Sequence, residues 1–116
     1  MNPRPGEVWL ADLGLAAKTR PVVIVSRHDP YAPRTLIIYV PVTTQNRQSL
    51  YEVALPNLSF LDHDSVANVQ GIGSIPKTRL ERKIGRLPET LIEKKVGKRG
   101  LIQTLSVLRH YRHIND

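Results

Sequence analysis

The stretch Lys18–Arg27, KTRPVVIVSR, decides how this chain is read. Its centre, Val22 to Val25, is an unbroken β-branched run of the kind that forms a buried strand. Such a strand has no need of a cation at its mouth, yet Arg20 stands there. Pro21 pushes Arg20 towards extended backbone, so the guanidinium is carried at the end of a stiff element. A planar fork that never loses its charge suits a phosphate in that position. It would equally serve to shield a strand end, and the local sequence leaves both readings open.

Outward from this run the pattern stays β-rich. GEVWLADL predicts a strand from Glu7 to about Leu13, and GLAAKT a loop. HDPYAPR, with two prolines and an aspartate, predicts another loop. TLIIYVPVT is a long strand in which Pro41 marks a bulge or an edge, followed by the turn TQNRQS. YEVAL is a short alternating strand and PNLSFLDHD a connection; SVANVQGIGSI reads as two strands bent at Gly71.

PKTRLERKIGRL is basic and mixes short elements. LPETLIEKKVGKRGLIQTLSVL has helical character, with Pro88 and Glu89 suited to a first turn. Leu91, Ile92, Val96, Leu101, Ile102, Leu105 and Leu108 supply an apolar stripe, which Gly97 and Gly100 threaten to split. Residues 109–116 form a polar tail. The expectation is one α+β, mostly β domain over residues 1–116: a small half-open barrel with a helix packed on it.

Composition narrows the partners. Lys and Arg number 17 against 10 Asp and Glu, a formal charge of +7. That balance favours nucleic acid or an acidic protein. Aromatic residues make up only 5%, which leaves little for a base-stacking platform. There is no cysteine, so neither a disulfide framework nor a thiolate metal site is expected. No membrane span and no signal-peptide layout is read in the chain. The four histidines lack metal-ligand spacing, and no cofactor fingerprint is present.

Two polar groups remain. Thr43, Thr44 and Gln45 close VPVTTQ with hydroxyls and an amide able to bond phosphate oxygens, or to serve ordinary turn chemistry. Asn68 and Gln70 lie on one face of their strand, since side chains alternate there, as amides that read bases or simply face water.

Taken in order, GEVWLADL, a loop, TRPVVIVS, VPVTTQ, YEVAL, VANVQ, KTRL…IGRL and a C-terminal helix resemble the MazF/PemK toxins. The resemblance runs from about Gly6 to Leu105. It implies an SH3-like barrel that forms a homodimer in the bacterial cytoplasm. It implies the toxin of a type II toxin–antitoxin system, cutting single-stranded RNA at short sequences without metal or cofactor. The expected ends are a 2′,3′-cyclic phosphate and a 5′-OH, and an antitoxin with an acidic C-terminal region is expected to cover the RNA site.

The family's catalytic arginine matches Arg20, and its catalytic threonine matches Thr43. RNA-binding places are then expected at Lys18, Thr19, Thr44, Gln45, Asn68 and Gln70. The chain departs from the family in two places. Many relatives carry a carboxylate or histidine in a longer loop before the arginine, where GLAAKT offers Lys18 and Thr19. Some use an arginine and an aspartate where Ala67 and Val69 stand. The general base is therefore unassigned, with His28 and Glu7 as candidates. A gyrase-poisoning toxin of the related CcdB type and a non-catalytic barrel binding RNA or a partner are the alternatives. Arg79, Arg82, Lys83, Arg86, Lys94, Lys95, Lys98 and Arg99 make the C-terminal third basic, either as a solvated face or as a surface for RNA or antitoxin.

Overall fold

The computed structural model describes residues 2–14, 19–93 and 100–105. Within them the strands are β1 Glu7–Asp12, β2 Thr19–Ile24, β3 Leu36–Thr43, β4 Glu52–Leu55, β5 Ser65–Asn68, β6 Gly73–Pro76 and β7 Leu80–Arg86. They form one antiparallel sheet in the order β4-β5-β3-β2-β1-β7, and β6 pairs with the first half of β3. The mostly β barrel-like architecture expected from the sequence is present.

β2 is central because both its faces are covered. Val22, Val23 and Ile24 are fully buried, and they divide between two cores. Val23 packs with Val8, Val40, Val42, Val53 and Leu55, under Leu87 and Leu101 from the C-terminal part. Val22 and Ile24 pack on the other side with Trp9, Ala11 and Ile75. Each such side chain contributes about 1.5–3 kcal/mol when removed from water. The continuous apolar run of the sequence is the signature of this two-sided burial.

β3 needs eight residues because it serves three neighbours. Tyr39, Val40 and Pro41 pair with β2; Leu36 to Tyr39 pair with β6; Val42 and Thr43 pair with β5. The outer partner changes beside Pro41, which has no amide to give to a ladder. The 3₁₀ turn Val69–Gly71 lies between the two outer partners, and a Cβ at Gly71 would stand 2.7 Å from Pro41 Cγ. The expected irregularity at Pro41 and the expected bend at Gly71 are thus one feature.

β7 corrects the reading of the basic segment as mixed short elements. After a 3₁₀ turn at Lys77–Arg79, it pairs along β1 from Arg86 opposite Glu7 to Leu80 opposite Ala11. Two register shifts interrupt that ladder, between Val8 and Trp9 and between Leu10 and Ala11. Bulges of this kind break the period of two and curl the sheet, so LERKIGR never alternates. Its Gly85 gives room to Phe60, whose ring would collide with an added Cβ.

The expected long helix is interrupted, and the described break lies at Glu93. α1, Glu89–Ile92, ends at Glu93 in extended conformation. Residues 101–105 are helical again, entered through Gly100, where a Cβ would collide with the Glu93 carbonyl oxygen. Leu91, Ile92, Leu101 and Leu105 pack on the core as the stripe predicts, but Ile102 is 47% exposed. Val96, Gly97, Leu108 and the tail 109–116 lie outside the described residues.

Glu7 is a structural carboxylate. It is buried, and its Oε1 accepts the Arg4 N–H at 2.9 Å and the Trp9 Nε1–H at 3.1 Å. Lys83 Nζ stands 3.0 Å from Oε2. Burial opposes the charge, but these donors prevail and hold the carboxyl below its ordinary value of 4.5. A depressed folded-state pKa stabilises the fold fully above the unfolded value, and that stabilisation is lost as pH falls through the folded one. The stability gap between wild type and Glu7→Gln should therefore be constant above about pH 5 and shrink on acidification below about pH 4.5. Urea melts across pH 3–7 measure it, and a pH-independent gap would contradict the assignment.

Candidate active site

Arg20 and Thr43 come together through strand register. Val22 lies opposite Pro41 in the β2–β3 ladder, and two further steps bring Thr43 across from Arg20. Both line an open cleft of about 500 Å³, with Leu13, Pro21, Pro41, Val42, Thr44, Gln45 and Ser65. Arg20 is exposed and paired across β1 with Ala11, which offers it no charge. Among the described residues its guanidinium has no ion-pair or hydrogen-bond partner; the ion pairs formed are Arg79–Asp12 and Lys83–Glu7. Strand-end shielding would not require a free guanidinium at the lip of a cleft. An oxyanion site would.

Thr43 ends β3 with its hydroxyl already oriented. Oγ1 accepts the Gln45 N–H at 3.1 Å, which leaves the hydroxyl hydrogen free to donate outward. Thr44 and Gln45 follow it, both exposed, on the same cleft.

Past Thr43 and Gln45 the cleft continues into a second cavity of about 400 Å³. Asn68 and Gln70 line it with Pro41, Arg47, Ser49 and Glu52. The expected alternation along one strand is not how the two amides meet. β5 ends at Asn68, and Gln70 sits in the following 3₁₀ turn. Asn68 is the residue before that turn and makes no side-chain capping bond, so its amide is available.

Of the remaining expected contacts, Thr19 opens β2 opposite Asp12, exposed but outside both cavity linings. Lys18 lies outside the described residues. Ala67 and Val69 are fully buried in the core and bring no polar group to the site. Neither candidate base is in the cleft. Glu7 is committed to Arg4, Trp9 and Lys83. His28 lies beyond the opposite end of β2, in a separate cavity of about 220 Å³ with Arg27, Arg34 and Lys77.

Sequence reasoning missed Arg47, Ser49 and Glu52. TQNRQS reads as a turn and YEVAL as a strand, and neither signals that they close on one cavity. The available clue was an arginine two residues after Gln45. The basic third of the chain is partly engaged internally: Arg79 faces Asp12 at 3.9 Å, Lys83 holds Glu7, and Arg86 Nη1 donates to the Pro5 carbonyl at 2.8 Å. Lys94, Lys95, Lys98 and Arg99 lie outside the described residues.

The fold recurs in known proteins. The family model described as PemK-like, MazF-like toxin of type II toxin–antitoxin system matches residues 4–98. No curated protein matches the sequence. Among solved structures, an endoribonuclease in complex with its cognate antitoxin from a mycobacterial species superposes with a TM-score of 0.74 at 23% identity, covering 91% of this chain and 93% of that one. The Mycobacterium tuberculosis toxin MazF-mt6 gives 0.65 at 26% identity, over 87% and 89% of the two chains. MazF from Deinococcus radiodurans gives 0.71 at 21% identity, over 95% and 98%.

Proposed function

The chain belongs to the PemK-like, MazF-like toxin family of type II toxin–antitoxin systems, and from that footing we propose that it is a sequence-specific endoribonuclease acting on single-stranded RNA. The observation that carries this reading is that the Arg20 guanidinium, unpartnered among the described residues, shares one cleft with Thr43, whose hydroxyl keeps its hydrogen to donate. The similar mycobacterial structure is an endoribonuclease held by its antitoxin, which supports the same reading.

The ribose 2′-OH attacks the adjacent phosphorus, the new P–O2′ bond forms, and the P–O5′ bond breaks. The 2′ proton leaves to a base, and O5′ departs as a hydroxyl after gaining a proton. Negative charge builds on the non-bridging oxygens in between. Arg20 meets that charge with a bidentate fork on a rigid strand, where pre-set donors stabilise a transition state most. Thr43 orients the phosphate by donating its hydroxyl hydrogen; at neutral pH it is too weak an acid to become the base. Among the described residues no carboxylate or histidine lines the Arg20 cleft, so in this scheme solvent takes the 2′ proton and supplies the one gained by O5′.

Thr44 and Gln45 bind the strand beside the cut, and Asn68 and Gln70 read it in the adjoining cavity. The whole chain acts as one toxin domain, homodimeric, in the bacterial cytoplasm, and an acidic antitoxin neutralises it. No helix among the described residues is long and apolar enough to cross a membrane.

The test is incubation of purified protein with synthetic RNA and a chelator. Metal-free cleavage to 2′,3′-cyclic phosphate and 5′-OH ends is expected. Inhibition of gyrase without RNA cleavage would support the CcdB-like alternative, and RNA binding alone a non-catalytic barrel. Thr43→Ala should lower turnover by roughly tenfold or more, the worth of one oriented hydrogen bond, while melting like wild type. Thr43→Ser should restore most of it. If Thr43→Ala instead unfolds the protein, the residue is structural.

A further inference from the structure

The cavity proposed to read RNA has a carboxylate in its wall, where a bare negative charge would repel phosphate. The bonding of Glu52 accounts for its presence. Its Oε1 accepts the Ser49 N–H at 2.8 Å, and its Oε2 accepts the Arg47 N–H at 3.0 Å. Its own N–H donates to the Ser49 carbonyl at 3.3 Å. Both oxygens are thus turned into the loop that joins β3 to β4, with β4 fixed to the sheet by the pairing of Glu52 with Asn68.

That loop has little else to hold it. Residues 44–50 are all exposed, so no apolar side chain anchors them. The other tethers are short-range side-chain bonds. Asn46 Oδ1 accepts the Gln48 N–H at 2.8 Å, Ser49 Oγ accepts the Tyr51 N–H at 3.2 Å, and Thr43 Oγ1 holds Gln45. Gln48 has a positive φ of 55°, a conformation that needs such support. Gln45, Arg47 and Ser49 from this loop line the cavity next to Thr43.

We propose that Glu52 is a positioning residue for the RNA substrate: it latches the β3–β4 loop to β4, so that Gln45, Arg47 and Ser49 form a fixed wall beside the reacting phosphate. This rests on the endoribonuclease reading. A general-base role is the competing one, and the geometry opposes it. Both carboxylate oxygens are already engaged, and the Arg47 and Ser49 N–H groups hold the carboxyl below its ordinary value, which weakens it as a proton acceptor. Arg47 is the charged group facing it, and its cross-strand partner Asn68 is neutral.

The experiment pairs amide hydrogen exchange with steady-state kinetics on an RNA oligonucleotide that wild type cuts. In wild type the Arg47 and Ser49 amides should exchange more slowly than those of Thr44 and Leu50. Glu52→Ala should abolish that protection, raise KM about tenfold and leave kcat within about twofold. Glu52→Gln keeps one carbonyl acceptor and should fall between. The acid limb of the pH–rate profile should be unchanged in both. A fall in kcat of a hundredfold or more in Glu52→Gln, with loss of the acid limb, would overturn the proposal in favour of a base. Unprotected Arg47 and Ser49 amides in wild type would overturn it without any variant, which decides the matter should Glu52→Ala fail to fold. Wild-type protein that cuts no RNA would remove the endoribonuclease reading itself, and the exchange data would still decide whether the latch exists.

Discussion

Replacing Arg20 by alanine is expected to lower kcat for RNA cleavage by on the order of a hundredfold or more, with no change in thermal stability. The separation of the two effects follows from the side chain's surroundings. Arg20 is exposed, its guanidinium bonds to nothing among the described residues, and its cross-strand neighbour is Ala11. Removing it opens no cavity and strands no partner, so the fold has little to lose. The transition state loses the one cation that lines the Arg20–Thr43 cleft among the described residues. Arg20→Lys should recover only part of the rate, because an ammonium cannot span two phosphate oxygens as a planar fork does. Matching melting curves by circular dichroism, together with single-turnover cleavage, make the comparison. Full activity in the alanine variant would sink the assignment of Arg20, and with it most of the case for RNA cleavage.

The strands that carry Arg20 and Thr43 were legible because their conformation is locally set, whereas the two residues were joined as a site by the family resemblance. A proline sets the backbone after Arg20, and the β-branched run behind it admits only a buried strand. Once those two strands pair in register, the two residues meet. Three further strands were equally readable: β1, β4 and β5 begin within a residue of where patterning puts them.

What was not legible depends on events remote in sequence. β7 hides because its ladder with β1 slips twice, so its burial never alternates. Gln70 reaches the cavity by a 3₁₀ turn rather than by strand alternation, and that turn sets Gly71 against Pro41, far away in sequence. Glu52 looks like an outward-facing residue of a short strand. Its role depends on the path of a loop whose own residues carry no periodic signal. Glu7 was a reasonable candidate base on chemistry alone; the indole N–H and the ammonium that claim it come from Trp9 and from Lys83, which lies far along the chain.

Trp9→Ala should be the most damaging single change to the fold, costing about 3–5 kcal/mol. Trp9 is 2% exposed and heads the cluster with Ala11, Val22, Ile24 and Ile75. It lies on β1 between Val22 of β2 and Lys83 of β7, so the cavity left behind would be bounded by two strands that cannot both close on it. Its Nε1–H also helps to keep Glu7 ionised in a buried place, and that carboxylate would lose a donor while remaining desolvated. A domain of this size has roughly 5–15 kcal/mol of stability in all, so the variant should be marginal at 37 °C. Trp9→Phe refills most of the volume without the N–H and should cost distinctly less. Because Trp9 is the single tryptophan, the melts need circular dichroism rather than its fluorescence. The two classes of inactive variant then separate cleanly. Cleavage by Trp9→Ala should track the folded fraction and return on cooling or partial restabilisation, whereas Arg20→Ala should stay inactive while fully folded. A Trp9→Ala protein that melts within a few degrees of wild type would contradict the placement of this indole in the core.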